Sequence, residues 1–564
     1  MPEAQSDAAR LAALHSQVAA PGETSLADVA GRVASAVAEA EPVGERAEWA
    51  ERFAAMIRET AFLPSVPTLA NAGRGGQLAA CFVLDVADSL ESIYGTLHRA
   101  ARIQQGSGGV GVEFSALRPR GAPIARSGGH APGVLAFAEL FARSAHVMTL
   151  AGRRAGAHLA ILRDDHPDIV EFVRAKRQAP ERFPNMGLAV GITDQLLRAA
   201  RAGEMHGLRH VHGGSGGHVR ARDLLLEIAR SILETGDPTL LFLDRINADN
   251  PTPELGALCA TNPCGEQPLL PNESCVLGSL HLPLFVGAAG AGMDWGRLEA
   301  AVRESVRFLD DVIDVNAHPD GEIERATRAT RKVGLGTMGL ADVLLMLGLP
   351  YGSSAARTLT GEILARVSSE ARRASVHLGE RRGTFADWRG RGPARRNATT
   401  CAVAPTGTVR LLAGASAGIE PWIAPVIGVD TDEGVLRWSD RWLTVWLERR
   451  GADTKHVLDS LAAGRSFRSL QSLSASDQFL LRRAWEIPAQ DQLAMQAAAQ
   501  RFVDGAVSKT VHLDAARRPS PEELTAWTQR ARELGCKGTA FFCRSADTAP
   551  LRIDLRLPCP TCPQ

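Results

Sequence analysis

The strongest constraint on this chain is an alternation that starts near Phe62. Short apolar runs, CFVLDV at 81–86, VGVEF at 110–114, LAVGI at 188–192 and TLLFL at 239–243, are separated by Gly/Pro-rich turns and by longer apolar-periodic stretches such as 134–149. Runs of this length fit buried strands, and periodic stretches between them fit helices that cover the sheet. The pattern therefore predicts an α/β architecture. Ahead of it, Leu26, Val29, Val33 and Val37 recur at three- and four-residue steps and Trp49, Phe53 and Met56 continue the pattern, which predicts a helical region over 25–60. The loop-like breaks are HGLRHVHGGSGGH at 206–218 and AAGAG at 288–292.

The chain has 564 residues, of which 45% are hydrophobic and 22% charged, with 63 basic against 63 acidic side chains. That balance implies no polyanion-binding surface, so no nucleic-acid partner is expected. No apolar run reaches the roughly eighteen residues of a membrane span, and the N-terminus lacks a basic segment followed by an apolar core, so a cytoplasmic protein is expected. Nine cysteines scattered over a chain of this length do not make a secreted disulfide framework. Reduced thiols, with chemistry at a few of them, are the expectation.

One stretch concentrates that chemistry. TNPCGEQPLLPNESC, 261–275, carries two thiols, two acids and three prolines. Pro263 and Gly265 bracket Cys264, which places it on a tight loop tip where a side chain enters a cavity instead of packing in a core. Glu266 and Asn262 supply a base and an orienting amide within five residues. The bland alternative is a buried small hydrophobe beside a surface acid.

Other motifs are weaker. Gly334–Gly339 is a literal GxGxxG, but a charged helix-like stretch precedes it and a helix ending in a Pro-Tyr-Gly turn follows, so close packing is expected there rather than a dinucleotide-binding turn. The histidines His206, His210, His212 and His218 are spaced irregularly among glycines, as in a solvated loop, and no metal site is assigned. APTGTVRLLAGASAG at 404–418 has small residues and hydroxyls that let backbone N–H groups approach an oxyanion, with a plain turn as the alternative. Cys559 and Cys562 form a lone CxxC on a proline-bearing end, read as a redox pair rather than half of a zinc site.

These residues resemble the catalytic chain of the ribonucleotide reductases, from about Ala61 onward. NPCGEQPLLPNESCVLGS is similar to the family's finger loop, and FLPSVPTLANAG followed by LAACFVL to its entry segment with the first redox cysteine. GDPTLLFLDRINADNPTP, RKVGLGTMGLADVLLMLGLPY, NATTCAVAPTGT and AVSKTVHL with ELGCKGT are further blocks in the family's order. The likeness is greatest to the adenosylcobalamin-dependent diphosphate reductases.

The resemblance implies a ten-stranded α/β barrel of two five-stranded halves around a central finger loop. It implies helices over 1–60, a barrel over 61–545 and a redox tail over 546–564. By the same resemblance Cys264 carries the thiyl radical that takes the ribose 3′ hydrogen, Glu266 takes the 3′-hydroxyl proton, and Asn262 positions the sugar. Cys81 and Cys275 give two electrons and end as a disulfide, Cys559 and Cys562 regenerate them, and Thr68, Pro405, Thr406, Gly407 and Thr408 bind substrate. Implied partners are a ribonucleotide, deoxynucleotide or ATP effectors, a thioredoxin-type reductant and a second copy in a homodimer.

The sequence also bears on the radical source. Family members fed by a separate radical subunit use a tyrosine pair near the C-terminal block, whereas this chain has two tyrosines, Tyr94 and Tyr351, and reads Phe541-Phe542 at that place. Phenylalanine does not support reversible proton-coupled oxidation, which points to a radical made in the active site by adenosylcobalamin. Alternatives are a catalytic subunit that needs a radical-donating partner and a non-catalytic nucleotide-binding paralogue. Departures from the family pattern fall at Ser65-Val66, His158 and Arg410. By the same resemblance an N-terminal nucleotide-binding cone ahead of the barrel is not expected, nor on-off control through one.

Overall fold

A computed structural model describes residues 2–124, 128–151, 156–211, 213–287, 290–431, 434–544 and 551–555. Three helices lead, Pro2–Gln17, Leu26–Val37 and Arg46–Arg58. The second begins at a capping box: the Ser25 hydroxyl accepts from the Asp28 N–H, and the Asp28 carboxylate accepts from the Ser25 N–H. Its apolar stripe, Val29, Val33 and Val37, is fully buried, as the periodicity predicts.

The strands are β1 (Phe62–Pro64), β2 (Cys81–Asp85), β3 (Gly109–Glu113), β4 (His158–Arg163), β5 (Met186–Ile192), β6 (Met205–Arg209), β7 (Ser215–Arg220), β8 (Thr239–Phe242), β9 (Ala260–Thr261), β10 (Pro268–Leu269), β11 (Ser274–His281), β12 (Val333–Met338), β13 (Val426–Thr431), β14 (Gly434–Ser439), β15 (Thr510–Asp514), β16 (Gly538–Arg544) and β17 (Arg552–Asp554). Ten of them form one sheet, ordered β1-β11-β2-β3-β4-β5-β8-β16-β15 with β12 on the other side of β11.

Direction divides this sheet in two. Strands β2, β3, β4, β5 and β8 are mutually parallel, and so are β11 with β12 and β15 with β16. The two groups meet antiparallel at β11/β2 and at β16/β8. As a hydrogen-bonded ladder the barrel is not closed. Between β12 and β15 the chain at 401–403 and at 507 makes two isolated parallel bridges, Leu335 to Cys401 and Val403 to Val507. Buried β-branched and aliphatic residues fill both faces of the parallel strands, which explains why their sequence reads as short unbroken apolar runs.

The hairpin β9/β10 pairs Thr261 with Pro268 and lies inside this wall. Two glycines record how tightly it is held. A Cβ at Gly111 of β3 would lie 1.8 Å from the Thr261 carbonyl oxygen, and one at Gly334 of β12 would lie 2.2 Å from Gln267 Nε2. The hairpin is thus pressed between opposite walls, and only glycine leaves room. This settles the GxGxxG segment: Gly334 and Gly336 lie within β12 as packing residues. A second core gathers around the hairpin from Val83, Leu159, Ile161, Ala189, Leu241, Leu269 and Leu277.

One expectation fails. The 206–218 stretch is not a loop, because β6 and β7 pair as a hairpin there. His206 is buried, with Nε2 3.5 Å from Asp164 Oδ1. Glycine-rich composition hid a strand pair whose buried side chains are few.

Candidate active site

The hairpin's register places Asn262 to Gln267 at its tip. The tip is closed from within, since the Asn262 N–H donates to the Gln267 carbonyl at 3.2 Å, the Gln267 N–H to Asn262 Oδ1 at 2.9 Å, and the Gly265 N–H to the Asn262 carbonyl at 3.0 Å. From outside, the Ala506 N–H donates to the Glu266 carbonyl at 2.8 Å. With the backbone pinned on both sides, the side chains at the tip have fixed directions.

Asn262 Nδ2 donates to Glu266 Oε1 at 2.9 Å and to Cys81 Sγ at 3.0 Å. Cys81 Sγ lies 3.7 Å from the same carboxylate oxygen. Burial pushes the Glu266 carboxyl up to about 7, although the Asn262 amide and the Cys81 thiol both favour its charged form. Oε2 of Glu266 is buried without a hydrogen-bond partner. A carboxylate poised near neutrality with one empty oxygen is what a general base requires.

Cys81 on β2 and Cys275 on β11 face each other across the antiparallel junction of the two half-barrels. Directly opposed residues in such a pair lie ~4.5–5.5 Å apart at Cα, within the range a disulfide spans. Burial pushes both thiols up, and Glu266 adds to this in each case. Sequence reasoning did not find what stands behind Cys275: Lys332 Nζ donates to Glu273 Oε2 at 2.6 Å and the Thr330 hydroxyl donates to Glu273 Oε1 at 2.7 Å, all buried. The signal was present in Glu273, two residues before Cys275.

Cys264 is half-buried and stands on the rim of two cavities. One, of about 140 Å³, is lined by Cys81, Asn262, Glu266, the Ser65–Pro67 turn and residues Ala404–Val409. The other, of about 680 Å³, is lined by His158, Pro405, Glu420, Lys509, His512 and Phe541 among others. In the 404–418 segment Thr406 sits at φ 57°, its hydroxyl accepts from the Gly418 N–H at 2.9 Å, and Gly407 and Thr408 lead into a short helix, Val409–Ala413.

Thr68 is placed differently. It is fully buried, its hydroxyl donates to the Leu78 carbonyl at 2.9 Å, and it is not among the cavity residues. Its neighbours Ser65, Val66 and Pro67 line the wall instead. His158 is buried beside Gln104 Oε1 at 3.1 Å, and burial lowers it to about 4, so the imidazole is neutral. Arg410 lies under the loop against the Trp438 ring, its guanidinium 5.0 Å from the ring centroid, and burial lowers it to about 10. Phe541 stacks on Trp527 with centroids 6.5 Å apart. Cys559, Cys562 and His212 lie outside the described residues.

Residues 79–396 and 391–542 match the family described as ribonucleotide reductase, barrel domain, and residues 16–77 match its all-alpha domain. The chain belongs to the ribonucleotide reductase large-subunit family. It is 43% identical over 516 residues, 89% of this chain and 73% of the relative, to the vitamin B12-dependent ribonucleoside-diphosphate reductase of Mycobacterium tuberculosis (strain CDC 1551 / Oshkosh). To the protein of the same description from Thermoplasma acidophilum it is 37% identical over 502 residues, 87% of this chain and 64% of that one. The fold is similar to the class Id ribonucleotide reductase alpha subunit of Actinobacillus ureae, with a TM-score of 0.79 at 22% identity over 95% of this chain and 97% of that one. Among the described residues no helix is long and apolar enough to cross a membrane.

Proposed function

We propose that this chain reduces ribonucleoside diphosphates to 2′-deoxyribonucleotides by an adenosylcobalamin-dependent radical reaction centred on Cys264. The observation that carries the reading is that Cys264 borders both cavities, so that a cofactor in one and a substrate in the other can each reach this residue. The names of the two similar reductases support the substrate and the cofactor.

The larger cavity suits a bulky cofactor. Gly187, Gly236 and Gly538 line it without side chains, Pro405, Val507 and Phe541 offer apolar surface, and Lys509, Glu420 and His512 offer polar groups. These are the residues that would hold adenosylcobalamin. When bound there it supplies the means to remove a hydrogen atom from a nearby thiol. Phe541 in this wall agrees with such a source, since a tyrosine relay is missing at that place.

In the smaller cavity the substrate phosphates meet Pro405, Thr406, Gly407 and Thr408, and the sugar lies against Asn262. The Cys264 thiyl takes the 3′ hydrogen atom, and Glu266 takes the 3′-hydroxyl proton. Loss of the 2′-hydroxyl as water, with a proton from the Cys81 thiol, leaves a centre that two electrons from Cys81 and Cys275 reduce as their disulfide forms. Cys264 returns the 3′ hydrogen, and Glu266 returns the proton to the 3′ oxygen. The net change is one ribonucleotide and two thiols to one deoxyribonucleotide, one disulfide and one water. Cys559 and Cys562 then reduce the disulfide by thiol exchange with a thioredoxin-type protein. Nucleotide effectors, a homodimer and a cytoplasmic location complete the proposal, as does the division at 1–60, 61–545 and 546–564.

Deoxynucleotide formation by the isolated chain with adenosylcobalamin and dithiothreitol, comparing ribonucleoside di- and triphosphates, tests the reading. Turnover with diphosphates is expected. Turnover only after addition of a second radical-bearing protein would overturn it.

A further inference from the structure

The wall of the larger cavity contains an ion pair, Lys509 with Glu420, whose counterpart on the cofactor is not fixed by the reaction above. Lys509 Nζ donates to Glu420 Oε2 at 2.7 Å and to the Thr510 carbonyl at 2.9 Å, and Glu420 Oε1 accepts from the Thr510 N–H at 2.7 Å. The Lys509 side chain is fully buried and that of Glu420 is 11% exposed. Both residues line the cavity, on the stretch of wall that includes Pro405 and Val507, and so do Pro263, Cys264 and Gly265 of the loop tip. The pair is held firmly: the Tyr351 hydroxyl donates to the Ile419 carbonyl at 2.7 Å, and the Tyr351 ring lies 5.9 Å from Lys509 Nζ.

The hydrogen-bond inventory of this pair is incomplete. An ammonium has three donors, of which two are engaged, and a carboxylate accepts about four bonds, of which two are made. The charges of the pair cancel, and of the two side chains only that of Glu420 reaches the cavity surface, with acceptor sites beyond the two bonds it makes. An anion has no reason to bind a neutral pair, and an apolar group would leave the remaining sites unsatisfied. The complement is a neutral polyol, whose hydroxyl groups donate to the Glu420 carboxylate while Lys509, buried behind it, holds that carboxylate and cancels its charge.

We propose that Glu420, positioned by Lys509, binds the sugar hydroxyls of the cofactor's adenosyl group and so holds that group beside Cys264. This rests on the reading of the larger cavity as the adenosylcobalamin site. The corrin, whose edges carry amides, would not depend on the pair.

The test compares two cobalamins by absorbance titration, without turnover. Wild-type protein is expected to bind adenosylcobalamin more tightly than hydroxocobalamin, which lacks the sugar. In Glu420→Gln the adenosylcobalamin Kd should rise about tenfold to a hundredfold, as when charge-assisted hydrogen bonds are lost, and meet the hydroxocobalamin Kd, which should stay at its wild-type value. An equal loss for both cobalamins would make the pair a structural strut and overturn the assignment, as would unchanged adenosylcobalamin binding. If wild-type protein binds neither cobalamin, the cofactor reading itself fails, and the sugar assignment with it.

Discussion

The two cavities that meet at Cys264 are built on opposite electrostatic plans. The larger presents charges already neutralised, Lys509 with Glu420 and Lys176 with Asp237 at 2.6 Å. The smaller holds a carboxyl with no cationic partner within salt-bridge distance among the described residues, raised to about 7 by burial, with an empty oxygen. Paired charges resist titration and serve recognition, while an isolated buried carboxyl is held ready to take a proton. The difference assigns proton traffic to the smaller cavity and binding to the larger, with Cys264 on the border of both.

Removing the thiol at that border should have the largest effect. Cys264→Ser should abolish reduction, because the serine O–H bond is too strong to be broken productively. Residual turnover within about tenfold of wild type, a barrier change of about 1.4 kcal/mol, would contradict its role. Next in size, Cys275→Ser should block turnover by removing one of the two electron-donating thiols, as read by deoxynucleotide formed per active site. More than one deoxynucleotide per site would place the electrons elsewhere.

Glu266→Gln should lower turnover by roughly a hundredfold, the usual cost of losing a general base. The wild-type kcat/KM should fall as the pH drops below about 7, where Glu266 becomes protonated, and the glutamine variant should lack that limb. The sign for stability is the reverse. Folding raises this carboxyl, so its contribution to stability is full below the unfolded-state value of about 4.3 and is lost as pH rises through about 7. Glu266→Gln should therefore melt higher than wild type at pH 8, and a lower melting temperature there would argue against a buried, isolated carboxylate. The smallest effect is expected at Asn262→Ala, which leaves the base in place but unoriented. About a tenfold loss of turnover, with the pH midpoint moved further up because the amide no longer favours the charged form, would sharpen the assignment.

The sequence revealed most where local chemistry and fold agree. The parallel strands read as short apolar runs because both their faces are buried, and the helical region at 25–60 read correctly because its stripe meets the core. Pro263 and Gly265 around Cys264 gave the loop tip. The facing of Cys81 and Cys275 is non-local, since it depends on the register of β2 against β11, and only the family resemblance brought it into view. The β6/β7 hairpin escaped because its glycines carry no alternation to read. The placement of Thr68 away from the cavity escaped because a single hydroxyl says nothing about whether it faces substrate or the Leu78 carbonyl. The Glu420–Lys509 pair joins residues 89 positions apart, which no spacing rule links.

The central claim is that this one chain, with its cofactor, makes and uses its own radical at Cys264. The most direct measurement is deoxynucleotide formation from a ribonucleoside diphosphate by the purified chain, given adenosylcobalamin and dithiothreitol and no other protein. The account predicts sustained turnover that stops when adenosylcobalamin is omitted. Turnover that persists without the cobalamin, or that appears only when a second protein is added, would contradict it.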